Sequence, residues 1–138
     1  MTQEEKDLLF KDLCSRLPYG LKCRTSRKNG IIRIKNCVLD CHWLIEVQND
    51  IYKIKPYLFP LSSMTEEQRE NLMNICGERI GFNSGTFIDF NGYGEIPMKS
   101  VNDVIDWLNA NHFDYRGLIE KELAIDATNL GIYKKEAE

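Results

Sequence analysis

Residues 37–47 read Cys37-Val38-Leu39-Asp40-Cys41-His42-Trp43-Leu44-Ile45-Glu46-Val47. Every odd position is apolar, and the even positions include Asp40, His42 and Glu46. A period of two predicts a strand with one buried face. The residues upstream alternate as well, with Leu21, Cys23 and Thr25 against Lys22, Arg24 and Ser26. Asn29-Gly30 is a strong hairpin signal, because both residues tolerate the positive φ of a type I′ turn. A turn centred there pairs Arg27 with Ile32, Ser26 with Arg33, Thr25 with Ile34 and Arg24 with Lys35. Lys22, Arg24, Arg33 and Lys35 then share one face. The inward parity changes from even to odd near Asn36, which calls for a bulge or loop. Gln48-Asn49-Asp50 reads as a turn and Ile51–Ile54 as a short strand. Four closely spaced strands joined by tight turns predict a small curled antiparallel sheet of the SH3-like type.

Helices flank this sheet in the prediction. Thr2-x-x-Glu5 is a capping box, followed by an apolar stripe of Leu8, Leu9, Leu13 and Leu17, and Pro18-Tyr19-Gly20 stops the helix. Pro56-Tyr57-Leu58-Phe59-Pro60 is an extended connector whose aromatics pack. Thr65-x-x-Gln68 opens a second helix running to about Cys76. Residues 77–94 carry five of the nine glycines and read as turns around one strand, Thr86–Phe90. Ser100-x-x-Asp103 caps a third helix, with Val101, Val104, Ile105 and Leu108 at helical spacing, broken at Asn109-Ala110-Asn111. Arg116–Leu123 suggests one or two helical turns, and 134–138 a charged, frayed tail. The expected class is α+β, one domain over residues 1–138. Its β-rich part covers about 18–60 and its helical and glycine-rich part about 61–133.

The composition, 43% hydrophobic and 28% charged, is that of a globular protein and excludes wholesale disorder. No apolar run reaches the roughly 20 residues that span a bilayer. The polar, acidic start, Met1-Thr2-Gln3-Glu4-Glu5, is unlike a signal peptide. Five cysteines at irregular spacing fit reduced thiols, buried as small hydrophobes in a cytoplasmic protein. The net charge is −3, but residues 1–60 hold 11 basic and 7 acidic side chains, and 61–138 hold 7 and 14. That asymmetry fits either a binding surface or two faces that attract each other.

Two stretches carry a resemblance. One is Pro56-Tyr57-Leu58-Phe59-Pro60-Leu61-Ser62-Ser63-Met64-Thr65-Glu66-Glu67. The other holds Trp107-Leu108-Asn109, His112-Phe113-Asp114-Tyr115-Arg116-Gly117-Leu118-Ile119-Glu120-Lys121 and Leu123-Ala124-Ile125-Asp126-Ala127-Thr128, followed by Leu130 and Ile132-Tyr133. Together they resemble a group of short proteins found repeatedly in gut-bacterial and phage genomes, for which no activity is established. The resemblance implies a cytoplasmic bacterial or phage accessory protein. The group often has Gly where this chain has Glu122 and Asn129, so positive-φ turns are not expected at those two places here.

Four features bear on chemistry. Lys22, Arg24, Arg27, Lys28, Arg33 and Lys35 form a basic hairpin with no acid among residues 22–35. Such a face binds phosphate backbone or an acidic partner; the plainer reading is a solvated face, or one covered by the acidic C-terminal half. Cys23, Cys37, Cys41 and His42 supply zinc-ligand types, but only one Cys-x-x-x-Cys is present, and alternation puts Cys41 and His42 on opposite faces. His112, Asp114 and Arg116 bring a base, a carboxylate and a guanidinium together. Their structural reading has Asp114 as a cap, Arg116 as an ion-pair partner, and Phe113 and Tyr115 in the core. Gly77, Gly81, Gly85, Gly92 and Gly94 match neither a Walker loop nor a dinucleotide fingerprint, and read as a mobile loop or a ligand lid.

No catalytic set, metal or cofactor is expected. Lys22, Arg24, Arg33, Lys35, His112, Asp114 and Arg116 are the candidates for binding a ligand or partner. The expectation is a non-enzymatic module that binds another protein. The alternatives are sequestration of a nucleotide-like anion and nucleic-acid binding through the hairpin 22–35. No membrane partner is expected, and an exposed strand edge is compatible with a homo-oligomer.

Overall fold

The computed structural model describes residues 2–27, 35–49, 52–76, 80–83, 87–90 and 98–133. Helix α1 (Gln3–Arg16) begins where its sequence says it should. The Thr2 hydroxyl accepts from the Glu5 N–H at 3.1 Å, and the Glu5 carboxylate accepts from the Thr2 N–H at 3.0 Å. Gly20, at φ 67, turns the chain into strand β1 (Lys22–Arg27). Strands β2 (Lys35–Val38) and β3 (Tyr52–Pro60) flank β1 as antiparallel neighbours.

The two expected strands pair one residue away from the expected register, and the turn expected at Asn29-Gly30 lies outside the described residues. Cys23 faces Cys37, Arg24 faces Asn36 and Thr25 faces Lys35, and the Leu39 N–H donates to the Leu21 carbonyl at 2.7 Å. The like-charged Arg24–Lys35 pair is therefore absent. Cys23 and Thr25 of β1 and Cys37 of β2 lie on the inner side, while Ile32 and Ile34, on which the expected parity change depends, lie outside the described residues.

The strand expected over 37–47 stops at Val38. Helix α2 (Cys41–Asn49) follows, because the Asp40 carboxylate accepts from the Trp43 N–H at 3.2 Å and caps its first turn. Trp43 and Leu44 then pack on the core while Cys41, His42 and Ile45 are exposed. The expected short strand and the proline-flanked connector are one long strand, β3. Tyr57 and Leu58 lie at its buried centre.

Helix α3 (Glu66–Cys76) carries the second capping box with both bonds made, Thr65 N–H to Gln68 Oε1 at 2.9 Å and Gln68 N–H to Thr65 Oγ1 at 3.2 Å. Strands β4 (Ile80–Asn83) and β5 (Phe87–Phe90) pair with each other where one strand was expected, and Gly81 lies in β4. The other four glycines of 77–94 lie outside the described residues. Helix α4 (Met98–Ala110) starts two residues before the expected cap at Ser100.

Beyond α4, two short strands join β3 in parallel. Strand β6 (Phe113–Asp114) pairs with Phe59–Pro60, and β7 (Ile125–Asp126) with Tyr57–Leu58. The architecture is α+β. Among the described residues the main sheet runs β2-β1-β3-β6, with β7 also on β3; it is mixed and open, not the closed small barrel expected. The reason lies at residues 40–49, which supply a helix instead of the strand that would have continued the curl.

Between 116 and 123 the expected helical turns are replaced by a tight loop. The Leu123 N–H donates to the Leu118 carbonyl at 2.9 Å and the Glu122 N–H to the Ile119 carbonyl at 3.0 Å, a Schellman pattern. Such a pattern requires a left-handed residue, and Glu122 takes it at φ 61 despite its side chain. Leu118 and Leu123 are both buried beneath this turn. Asn129 is not in the left-handed region.

Two apolar clusters result. One sets Leu9 and Leu13 of α1 against Leu21, Cys23, Ile54 and Leu58 of the sheet region. The other gathers Leu72, Val104, Leu108 and Phe113, with Leu61 and Met64, where α3 and α4 meet β6. No helix among the described residues is long and apolar enough to cross a membrane.

Candidate functional site

The last turn of α4 builds the site. The Asn111 backbone N–H and Nδ2 both donate to the Trp107 carbonyl, at 3.0 and 2.9 Å. The His112 N–H donates to the Asn109 carbonyl at 3.2 Å. His112 sits at φ 63, a left-handed cap made by a residue other than Gly or Asn. That turn swings the chain onto β3, where the His112 carbonyl accepts from the Phe59 N–H at 2.8 Å.

His112 and its near neighbours in sequence go to different places. The Asp114 carboxylate accepts from the Leu118 and Ile119 N–H groups, both at 3.0 Å, and so caps the following loop. Arg116 turns the other way. Its Nε lies 3.1 Å from Asp12 Oδ1, and its Nη2 donates to the Tyr115 hydroxyl at 3.3 Å.

Asp12 also accepts from Arg16 Nε at 2.8 Å, with both side chains 0% exposed. Arg16 Nη2 donates to the Phe113 carbonyl at 2.7 Å. The trio Arg16–Asp12–Arg116 thus ties α1 to the β6 region. Burial raises the Asp12 carboxyl above its ordinary value, against the pull of the two guanidiniums. With Asp114 and Arg116 occupied in this way, the expected base–carboxylate–guanidinium set does not converge.

The partner of His112 is Tyr133. Their rings stack at 3.9 Å between centroids and 14° between planes, and Phe59 lies 5.7 Å from the Tyr133 ring. The Tyr133 hydroxyl is held at the end of the β1–β3 ladder. The register Cys23↔Pro56 places Lys22 opposite Tyr57 in the next rung. There the hydroxyl accepts from the Lys22 N–H at 2.9 Å and donates to the Tyr57 carbonyl at 2.8 Å. Lys22 Nζ donates to the Ile132 carbonyl at 2.8 Å. Burial raises the Tyr133 phenol above its ordinary value, consistent with a hydroxyl that stays protonated and donates.

These rings border a cleft of about 540 Å³, lined by Phe59, Gln68, Asn111, His112, Thr128 and Tyr133 among others. His112 Nδ1 is buried and has no hydrogen-bond partner among the described residues. Burial, and then the positive charges of Arg16 and Lys22, lower the His112 pKa to about 4. The imidazole is therefore neutral at pH 7, and it offers a ring face and a hydrogen-bonding nitrogen more readily than a proton.

The basic hairpin is partly engaged. Lys22 is bound to Ile132, and Arg24 Nε donates to the Tyr57 hydroxyl at 3.1 Å. Lys35 lies opposite Thr25 in β2, and Arg33 is outside the described residues. Among the described residues, Cys23, Cys37, Cys41 and His42 do not converge on one site. Cys23 and Cys37 face each other across β1 and β2, while Cys41 is exposed at the start of α2 and His42 lies 3.9 Å from Glu46. Cys14 and Cys41 are exposed thiols rather than core residues. Among the described residues no group of three or more His, Cys, Asp or Glu could hold a metal ion.

A smaller cavity of about 210 Å³ lies beside Lys53–Lys55 of β3, with Glu5, Lys121 and Glu122 at its walls. Its mixed charges and size make it a poorer ligand site than the His112 cleft.

No family model matches this chain, and no curated protein or solved structure matches it.

Proposed function

We propose that this chain is a non-enzymatic binding protein that holds a small molecule in the His112–Tyr133 cleft, as an accessory protein of the bacterial cytoplasm. The observation that carries this reading is His112 itself. Its backbone is left-handed, its ring is stacked on Tyr133, its Nδ1 is buried without a hydrogen-bond partner among the described residues, and the residue lines a 540 Å³ cleft. A non-glycine backbone held in such a region costs about 1–3 kcal/mol, persists where the surroundings over-determine it, and recurs at ligand clamps and active sites. A mostly uncharged concave site with a few converging polar groups is the usual form of a small-molecule pocket. The ties that occupy Asp114 and Arg116 favour binding over acid–base chemistry.

The test is a thermal-shift screen of small aromatic compounds against the native protein and an Ala110→Trp variant. Ala110 is an exposed helical residue on the cleft wall, so the indole blocks the cleft without disturbing the core. A ligand in the cleft raises the melting temperature of the native protein through mass action and leaves the variant unmoved. Equal stabilisation of both proteins, or of neither, counts against the proposal.

A second reading, a protein partner, is favoured by one feature. Val38 and Ile45 are 55% and 56% exposed at the end of β2 and on α2, next to exposed Cys41. An Ile45→Glu variant that loses a partner captured by the native protein supports that reading, and unchanged capture removes it.

A further inference from the structure

Resting on the cleft as the ligand site, we infer that its ligand is an uncharged, planar nitrogen heteroaromatic bearing a carbonyl and an N–H side by side. Three observations converge. The first is charge: Phe59, Gln68, Asn111, His112, Thr128 and Tyr133 border the cleft, and none of its described lining residues carries a cationic or anionic side chain. Lys22 Nζ, 5.9 Å from the centre of the Tyr133 ring, is bound to the Ile132 carbonyl. A carboxylate or phosphate entering here would lose its water without an ion-pair partner among the described lining side chains. The nucleotide-like anion expected from the sequence is thus a poor occupant, whereas an uncharged ring system is a good one.

The second observation is the polar edge. Gln68 spends its Oε1 on the Thr65 N–H, which leaves its Nε2 hydrogens to serve as donors. Asn111 spends its Nδ2 on the Trp107 carbonyl, which leaves its Oδ1 to serve as an acceptor. The capping of two different helices therefore fixes which half of each amide is unspent, giving one donor and one acceptor. A carbonyl beside an N–H answers that pair, in the way side-chain amides read the edges of bases.

The third observation is the ring wall. Tyr133, stacked with His112 and flanked by Phe59, gives aromatic surface on which a flat heterocycle packs.

The experiment is a ¹H–¹⁵N NMR titration of the native protein with nicotinamide and its near-isosteric carboxylate, nicotinate, alongside indole as a flat ring without the carbonyl. Nicotinamide is expected to shift the side-chain amide signals of Gln68 and Asn111 and the backbone of 110–112. Its affinity should exceed that of nicotinate by about tenfold or more, since the carboxylate would be left unpaired in the cleft. A Gln68→Glu variant keeps an acceptor for the Thr65 N–H, so α3 retains its capping box, but it removes the donor. It is expected to melt no lower than the native protein and to lose nicotinamide binding by about tenfold.

Equal or tighter binding of nicotinate overturns the ligand class and leaves the cleft standing as a site. Binding of indole at these resonances with none of nicotinamide does the same. If none of the three compounds moves a cleft resonance, the ligand class fails, and the thermal-shift comparison with Ala110→Trp decides the site separately.

Discussion

Replacing Asp12 by Ala tests the buried tie between α1 and the β6 region. In the native chain Asp12 is the carboxylate for Arg16 at 2.8 Å and for Arg116 at 3.1 Å. Arg16 is 0% exposed, while the Arg116 side chain is 20% exposed and keeps contact with water. Truncation leaves the Arg16 guanidinium buried with the Phe113 carbonyl and the face of the Tyr115 ring, 5.2 Å away, as its remaining partners. Breaking a buried pair from one side costs about 3–5 kcal/mol, because the surviving charge is uncompensated. The unfolding entropy of 138 residues is about 0.3 kcal/mol per kelvin. The melting temperature is therefore expected to fall by roughly 10–17 °C in a calorimetric or dichroism scan at pH 7. The double variant Asp12→Leu with Arg16→Met removes both charges and is expected to recover more than half of that loss. A single-variant loss below about 3 °C would mean that Arg16 reaches water, and the reasoning would be refuted.

Three other outcomes follow from particular bonds. Tyr133→Phe strips the hydroxyl that links the Lys22 N–H to the Tyr57 carbonyl, and a denaturant titration should show a loss of about 1–3 kcal/mol. Glu122→Gly relieves the left-handed strain at φ 61 and should raise the melting temperature by about 3 °C, equivalent to about 1 kcal/mol. His112 has a pKa lowered from 6.5 to about 4, so between those values the unfolded chain binds more protons than the folded one. Stability should then fall by about 1–2 kcal/mol as pH drops from 6.5 to 4, allowing for the part of the ring in solvent. The same scan on His112→Asn, which tolerates the left-handed backbone, should lack that component.

The helix starts were legible where capping is local. Thr2-x-x-Glu5 and Thr65-x-x-Gln68 each specify two hydrogen bonds within four residues, and both sets form. The stretch 37–47 misled because its apolar residues satisfy a period of two while Trp43 and Leu44 also suit one helical face. Asp40 decides the matter by capping, a signal present in the sequence but outweighed by the alternation. Glu122 misled for the opposite reason. A side chain argues against a left-handed turn, yet burial of Leu118 and Leu123 beneath it outweighs the local cost.

At the site, His112 was visible as a candidate, but its company was not. Asp114 and Arg116 are adjacent in sequence and divided in space, because Arg116 answers an aspartate 104 positions away. Tyr133 carried no motif; its role comes from a strand register that places Lys22 and Tyr57 one rung beyond the last pair. Gln68 and Asn111 were read only as a cap and a helix breaker. Those same bonds decide which of their atoms remain for a ligand.

The most direct test of the account is a ¹H–¹⁵N NMR screen of the native protein with a panel of small neutral aromatic compounds, mapped residue by residue. The shifts induced by a binding compound are expected to cluster at 110–112 and 127–133, with Gln68 and Phe59, around the 540 Å³ cleft. A panel that produces no such cluster, or one whose shifts gather instead at Val38 and Ile45, would contradict it.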